Sequence, residues 1–186
     1  TVASINTTQK DTTYYAIWVD KAEITYKFNN GDEDLVEKVT AGDPLVAPAD
    51  PAKEGYKFIG WSTDEKGATI TGLPATYPSE DTVYHAIYNP AEFTINYYVI
   101  NAETGRFELV DERSVTYGDP VVATIPSYEA PVGYTLSDAY TDITLTTPLA
   151  ADATMPAGVL NLYYDLEAKE YEAVFMVDGE EYEKVT

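Results

Sequence analysis

Side chains capable of catalysis are few in this chain. His85 is the only histidine, and cysteine is absent, so neither a Cys–His pair nor a thiolate metal site can form. No Gly-x-Ser-x-Gly segment marks a serine nucleophile. His85 stands alone in a strand-like segment, which is more typical of a structural histidine than of a catalytic one. We predict no catalytic, cofactor-binding or metal-binding residue and no cofactor.

Acidic residues are the remaining source of chemistry. Carboxylate pairs of the glycosidase type are available by residue type alone. The acidic run 30–34 contains three carboxylates, but its spacing does not match the helix-flanked calcium loop. We interpret it as a solvated hairpin turn. The sequence leaves open both calcium sites and intramolecular bonds between lysine and Asn or Asp side chains.

Tyrosine supplies 17 of the aromatic residues, and two adjacent pairs stand out. Aromatic rings that remain exposed on a sheet stack on sugars or on partner proteins. Tyr97 and Tyr98, and likewise Tyr163 and Tyr164, are therefore candidate ligand-contacting residues. The alternating aromatics of the first half instead predict core packing; they are Tyr26, Phe28, Tyr56, Phe58 and Trp61.

The charge balance excludes several classes of partner. The net charge is −21, with 32 acidic and 11 basic residues. Phosphate backbones and anionic membrane surfaces would be repelled, so we predict no nucleic-acid binding. No apolar run approaches the roughly 18 residues of a membrane span, and we predict no direct membrane insertion. The absence of cysteine is compatible with an exported protein that does not use disulfides.

Three segments of the chain recur. Residues 11–18 and 81–88 share five of eight positions, and residues 39–47 and 115–123 both contain Val-Thr-x-Gly-Asp-Pro. The run Glu-Lys-Val-Thr at 37–40 returns at 183–186. A period of this size indicates an array of small units rather than one enzyme domain. Such units leave little room for a deep catalytic cleft, so we predict that the chain is not an enzyme.

Each unit opens with a predicted β-hairpin. Residues 22–28 alternate apolar and polar side chains, Asn-Gly follows, and residues 35–40 return. The same plan recurs at 93–116 and at 171–186. A strand at 55–61 and a closing strand at 83–88 complete the first unit, with counterparts at 133–136 and 159–164. We predict a mainly β fold, α+β at most, with only short helices, one of them a single turn at 51–55.

The repeats define four segments. Residues 1–20 supply the closing strand of a preceding repeat, 21–89 form the first repeat, 90–166 form the second repeat, and 167–186 form the opening hairpin of a following repeat. The linkers are about three to four residues long, which restricts relative motion. Residues 1–18 supply a closing strand without an opening hairpin, and residues 169–186 supply an opening hairpin without a closing strand. We therefore predict head-to-tail strand pairing between chains through these two segments.

The first repeat resembles the Listeria–Bacteroides repeat, also called the internalin B-repeat. The most specific part is the run from Pro48 to Trp61, supported by residues 24–28, 39–43 and 84–88. The second repeat diverges, and its segments 95–98 and 126–134 are also similar to mucin-binding-type repeats. Both families consist of small β-grasp-like modules arranged in tandem on bacterial surface proteins.

That resemblance implies an extracellular location on the cell surface, with a Gram-positive-type cell wall. It implies a non-enzymatic segment that acts as a semi-rigid stalk and adhesion module, with host or matrix protein or glycan as partners. Two alternatives stay open. One is a dedicated carbohydrate- or mucin-binding module, which requires exposed aromatics repeated in both units. The other is an accessory domain of a secreted enzyme.

Overall fold

A computed structural model describes residues 15, 16, 18–125, 127–171 and 173–185. Every regular element in these ranges is a β-strand, which confirms the mainly β prediction. No described segment forms a helix with the length and apolar character needed to cross a membrane. The strands are β1 (Lys21–Lys27), β2 (Leu35–Thr40), β3 (Tyr56–Ser62), β4 (Thr82–Pro90), β5 (Glu92–Ile100), β6 (Phe107–Thr116), β7 (Tyr134–Leu136), β8 (Leu160–Tyr164), β9 (Leu166–Ala168), β10 (Ala173–Val177) and β11 (Glu180–Val185).

The first repeat is a four-stranded sheet in the order β2-β1-β4-β3. β1 pairs antiparallel with β2, as the hairpin pattern predicted, and pairs in parallel with the closing strand β4. The period-two alternation of β1 directs Ala22, Ile24 and Tyr26 into the core, where all three are buried. The intervening side chains of β1 therefore lie on the outer face of the sheet.

Aromatic rings fill the core of the first repeat around Trp61. The Trp61 ring lies 5.4 Å from Tyr26, 6.0 Å from Phe28 and 5.5 Å from Phe58 between ring centroids. Tyr26 also stacks on Tyr84 at 5.8 Å. Edge-to-face and offset contacts of this kind add about 0.5–1.5 kcal/mol per pair beyond the buried area. The predicted aromatic core is thus confirmed for Tyr26, Phe28, Phe58 and Trp61.

The second repeat builds the same parallel centre in a main sheet of three strands. Its main sheet has the order β6-β5-β8, with β5 antiparallel to β6 and parallel to β8. A separate two-stranded sheet joins β7 to β9. The buried core collects side chains from the inner faces and from the crossing segments: Ile95, Tyr97, Val99, Ile125, Ala139, Met155, Leu162 and Tyr164.

The third hairpin stands as a two-stranded sheet of β10 and β11. Asp178 and Gly179 both have positive φ angles, 49° and 85°, which suits a two-residue hairpin turn. The hairpin predicted at 171–186 is therefore confirmed over 173–185.

Two expectations for local structure differ from the observed chain. The helical turn expected at 51–55 is wrong: Tyr56 N donates to Lys53 O at 3.0 Å, and Gly55 adopts a φ of 77°. This tight turn leads straight into β3, so no helical turn forms. The closing strand predicted within 1–20 falls largely outside the described residues. Tyr15, Ala16 and 18–20 are described, and they form no strand.

The chain divides into two compact units. One comprises residues up to Pro51 together with Phe58–Ile87, and the other comprises Ala52–Lys57 and the chain from Tyr88 onward. The second compact unit therefore includes a six-residue segment that sequence comparison places in the first repeat. The four repeat boundaries themselves stay a prediction.

Candidate functional site

The four candidate tyrosines separate into two pairs because neighbouring residues of a strand point to opposite faces. Tyr97 and Tyr164 point into the core of the second repeat, and Tyr97 is 0% exposed. Tyr98 and Tyr163 lie on the outer face of the same sheet, partly buried, and are partners across the β5–β8 pairing. Only Tyr98 and Tyr163 are therefore placed where a ligand could reach them.

The inner pair is held by hydrogen bonds to one crossing segment. Tyr97 Oη donates to Val122 O at 2.7 Å, and Tyr164 Oη donates to Ala123 O. Burial raises the pKa of both hydroxyls, because the charged phenolate would lose its hydration. These two residues consequently act as structural anchors, and the expectation that they contact a ligand is corrected.

The outer pair belongs to a small aromatic cluster, defined here as Tyr98, Phe107 and Tyr163. The Tyr98 and Tyr163 rings stack with centroids 5.2 Å apart and an interplanar angle of 18°. Phe107 meets Tyr163 edge-on, also at 5.2 Å. The rings thus cover part of one another, and the cluster offers the remaining ring surface to solvent.

The first repeat carries different residues at the same place in the sheet. Lys27 of β1 pairs with His85 of β4, in the register position where Tyr98 of β5 pairs with Tyr163 of β8. The shared strand arrangement therefore does not require aromatic rings on its outer face. Of the two repeats that the structure describes, the second carries the aromatic cluster and the first does not, which does not fit the requirement for aromatics repeated in both units.

The other sequence candidates occupy structural positions. His85 lies partly buried in β4, and its Nδ1 atom is buried without a hydrogen-bond partner. In the acidic run 30–34, Asn30 Nδ2 donates to Asp32 Oδ2 at 2.8 Å, and Asp32 N donates to Asn30 Oδ1 at 3.0 Å. These bonds close a hairpin turn on itself. Within the described ranges, His, Asp and Glu side chains form no cluster of three suited to a metal ion.

The second compact unit contains a junction, defined here as Gly55, the linker residue Ala91 and Tyr117. Ala91, in the linker, donates its N–H to Gly55 O at 2.9 Å, and its carbonyl accepts from Tyr117 N at 2.8 Å. The Tyr117 ring lies directly over Gly55: a Cβ atom added there would lie 2.5 Å from three ring carbons. Gly55 is therefore required twice, for its positive φ and for the close approach of the ring.

Further aromatic contacts surround this junction. The Tyr117 ring meets Tyr56 edge-on at 5.3 Å and Phe93 at 6.4 Å. Lys53 Nζ lies 4.7 Å from the Tyr56 ring centroid and 5.3 Å from that of Tyr88, within the range of cation–π attraction. Tyr56, predicted as core of the first repeat, thus packs against the second repeat instead.

The backbone part of the junction recurs after the second repeat. Lys169 N donates to Gly133 O at 2.8 Å, at the positions that correspond to Ala91 and Gly55. β9 runs antiparallel to β7, with Tyr134 opposite Ala168. At both ends of the second repeat, the linker is therefore hydrogen-bonded to the glycine that precedes an aromatic strand.

Sequence reasoning did not identify Tyr117 as a junction residue. The available signal was the motif Val-Thr-x-Gly-Asp-Pro, in which position x is Ala41 in the first repeat and Tyr117 in the second. Ala41 N donates to Asp20 O at 3.0 Å, the counterpart of the bond from Tyr117 to Ala91. A change from a small to a large side chain at an otherwise matched position marks the place where a new contact forms.

Two shallow concavities lie in the second compact unit. The larger, of about 360 Å³, is lined by residues that include Val99, Glu103, Glu108, Tyr128 and Leu166. Glu108 there accepts a hydrogen bond from Asn101 Nδ2 at 3.0 Å. The smaller, of about 290 Å³, includes Leu136 and Tyr164. The smaller also includes Ser137 and Asp138, but the Ser137 hydroxyl donates to the backbone carbonyl of Asp138 at 2.8 Å rather than to its carboxylate.

Comparison with known proteins finds a family match for the first repeat. The model of the Listeria-Bacteroides repeat domain matches residues 23–87. A "Putative Gly-rich membrane protein" of Evansella cellulosilytica is 24% identical over 168 residues, which cover 90% of this chain and 19% of that protein. A "Putative membrane protein" of the same organism is 23% identical over 180 residues, which cover 96% of this chain and 26% of that protein.

This chain thus spans about a fifth to a quarter of the length of these relatives. The matched residues contain all of β2 and β3, the Trp61 core and most of β1 and of the parallel closing strand β4. The run from Pro48 to Trp61, which carried the resemblance in the sequence, lies inside the matched range. Residues 23–87 therefore match the Listeria-Bacteroides repeat, which confirms the resemblance found in the sequence.

Proposed function

We propose that this chain is a non-enzymatic segment of an extracellular bacterial surface protein, where tandem repeats act as a semi-rigid stalk. The repeat family at 23–87 and the two relatives named as membrane proteins support a surface repeat protein. The cell wall is the proposed attachment, because repeats of this kind are arranged in tandem on wall-anchored proteins. A net charge of −21 keeps neighbouring stalks apart by repulsion.

The hydrogen-bonded linker is the observation that carries the stalk proposal. A free linker of three residues would still permit bending, but Ala91 is bonded on both sides, to Gly55 and to Tyr117. The equivalent bond from Lys169 to Gly133 repeats the device. In repeat arrays, interfaces between neighbours add to the stability of each unit, so a junction of this type stiffens the array.

Pulsed electron–electron double resonance tests the stiffness of the linker between the two repeats. The chain has no cysteine, so cysteines introduced at exposed Thr63 and Val132 would be the sole labelling sites. A stalk requires a narrow distance distribution between these labels. A matched variant with a Gly-Ser insertion after Pro90 keeps both repeats and lengthens the linker, and its distribution should broaden. Equal widths in the two proteins would contradict the proposal.

The aromatic cluster supports adhesion as a second candidate function. Tyr98, Phe107 and Tyr163 present partly exposed rings where the first repeat has Lys27 and His85. A neutral glycan is the partner that fits best, because sugars stack on aromatic rings and the acidic surface repels anionic chains. When neutral oligosaccharides are added, the NMR signals of Tyr98 and Tyr163 should shift selectively. Absence of shifts at about millimolar glycan would leave the stalk role alone.

A further inference from the structure

The loop of the first hairpin lies beyond the last paired residues of its two strands. β1 and β2 pair as far as Tyr26 and Leu35, and residues 28–34 lie between the two strands. Asn29 anchors this loop, because its Nδ2 atom donates to Ala86 O of β4 at 3.1 Å. The base of the loop is therefore held, while the backbone of its tip takes no part in the ladder of the sheet.

The sequence places Asn30 and Gly31, its sole Asn-Gly pair, in this loop. Gly31 is exposed and has a φ of 100°, and no atom of the described chain lies within 4 Å of a Cβ atom added to it. Because glycine has no side chain, its amide nitrogen is not shielded by a Cβ atom of its own. The Gly31 nitrogen is thus open to solvent base and to a neighbouring electrophile.

The side-chain amide of Asn30 is that electrophile. Its Oδ1 atom accepts the N–H of Asp32 at 3.0 Å, and its Nδ2 atom donates to Asp32 Oδ2 at 2.8 Å. The first of these bonds folds the side chain back along the Gly31 backbone. The same N–H points at the oxygen on which negative charge develops when Cγ is attacked, and a donor in that place stabilises the tetrahedral intermediate.

Asn101 offers a comparison within the same chain. It is also half-buried in a hairpin loop, and its Oδ1 atom accepts from Glu103 N at 2.9 Å and from Thr104 N at 3.0 Å. The residue that follows it is Ala102, whose Cβ atom crowds the amide nitrogen. The two asparagines therefore share the bonding of the carbonyl oxygen and differ in the residue that follows.

We propose that Asn30 is a modification site, where spontaneous deamidation proceeds through a cyclic imide with Gly31. The Gly31 nitrogen loses its proton to solvent base and bonds to Asn30 Cγ. The Cγ–Nδ2 bond then breaks, and the side-chain nitrogen leaves as ammonia with a proton from water. Water opens the imide at either of its carbonyl carbons, which leaves aspartate or isoaspartate at position 30. Water is the only co-reactant of this sequence.

The product differs from asparagine in charge and in backbone length. It adds one negative charge to a chain whose net charge is −21. The hydrogen bond of 2.8 Å between Asn30 and Asp32 is replaced by repulsion between two carboxylates. Isoaspartate also lengthens the backbone of the loop by one methylene group. Deamidation therefore acts as a slow, one-way change of the first hairpin loop, and it is independent of the stalk role.

Ageing of the full chain, followed by peptide mass spectrometry, tests the proposal. Folded protein and protein unfolded in guanidinium chloride are incubated side by side, and the peptides that contain Asn30 and Asn101 are compared. Asn30 should convert in the folded protein at a rate similar to that in the unfolded chain, whereas Asn101 should stay intact over the same interval. The rate at Asn30 should rise about tenfold for each pH unit, as the deprotonated fraction of the Gly31 amide does.

Two variants separate the roles of the asparagine and of the glycine. Asn30→Gln requires a larger ring, so it should remove the more acidic species that aged wild type shows on anion exchange. Ala102→Gly should create a second reactive site at Asn101. The proposal would be overturned by an intact Asn30 in folded protein while the unfolded chain converts, or by equal rates at Asn30 and Asn101 in the wild type. An Asn30→Gln protein that ages like the wild type, or an unreactive Asn101 in Ala102→Gly, would also overturn it.

Discussion

Replacement of Gly55 by alanine probes the junction at its tightest point. Gly55 has a φ of 77°, a conformation that costs an L-residue roughly 1–2 kcal/mol. The added Cβ would also lie 2.5 Å from the Tyr117 ring, which must therefore move. Overpacking of this kind typically costs about 1–3 kcal/mol. We expect Gly55→Ala to lower the free energy of unfolding of the second compact unit by about 2–5 kcal/mol, the sum of both effects.

Gly133→Ala is the matched control. Gly133 precedes the corresponding strand, has a φ of 92° and accepts the corresponding linker hydrogen bond, but nothing lies within 4 Å of its added Cβ. Its substitution should cost only the conformational part, about 1–2 kcal/mol. The difference between the two variants, about 1–3 kcal/mol, isolates the contact with Tyr117.

A double-mutant cycle with Tyr117→Ala removes the ring that Gly55→Ala would meet. In that background, the penalty of Gly55→Ala should fall to the conformational part, which gives a coupling free energy of about 1–3 kcal/mol. Urea denaturation followed by far-UV circular dichroism measures each value, with the m-value checked for a change in cooperativity. Equal costs for Gly55→Ala and Gly133→Ala, or a coupling near zero, would refute the junction.

Three further results follow from buried or hydrogen-bonded groups. Tyr26→Phe should be neutral or stabilising by up to about 1 kcal/mol, because the buried Tyr26 hydroxyl has no hydrogen-bond partner. Tyr97→Phe should instead cost about 1 kcal/mol, because it leaves Val122 O unpaired, and urea denaturation compares the two variants. Burial raises the pKa of Tyr26 to about 12, so the neutral Tyr26 hydroxyl contributes its full stability below pH 10, and this stability is lost as the pH rises toward 12. Melting temperatures measured between pH 10 and 12, together with a tyrosinate absorbance titration, should show the decline. Hydrogen bonds from Thr144 and Thr147 lower the pKa of Asp142, so the Asp142 carboxylate stabilises its loop at pH values above the ordinary aspartate pKa and loses this effect in strong acid. Asp142→Asn should speed amide exchange at Thr147, whose N–H donates to that carboxylate.

Local pattern was enough to predict the strands and the core of the first repeat. The alternation in β1 and the Asn-Gly turn predicted the first hairpin, and Trp61 lies in the core that its surroundings indicated. Alternation also guaranteed that one member of each tyrosine pair would face inward. The sequence could not decide which member, because both residues are tyrosine and the register of the sheet makes the choice.

The junction depends on contacts that local pattern does not contain. Gly55 and Tyr117 are 62 positions apart, and they meet because Ala91 bonds to both of their backbones. The same contacts explain the error at 51–55, where the turn before β3 serves the junction rather than a helix. The alternation of apolar and polar residues describes the strands within one repeat, whereas the junction depends on contacts between residues of two repeats.

Amide hydrogen exchange at Ala91 and Lys169 tests the anchored linkers most directly. Both amides donate to glycine carbonyls, at 2.9 and 2.8 Å, so their exchange should be slowed to rates like those of neighbouring strand residues. Gly55→Ala should release Ala91 while Lys169 stays protected. Exchange of both amides at the rate of an unstructured chain would contradict the claim that each repeat holds the linker that follows it.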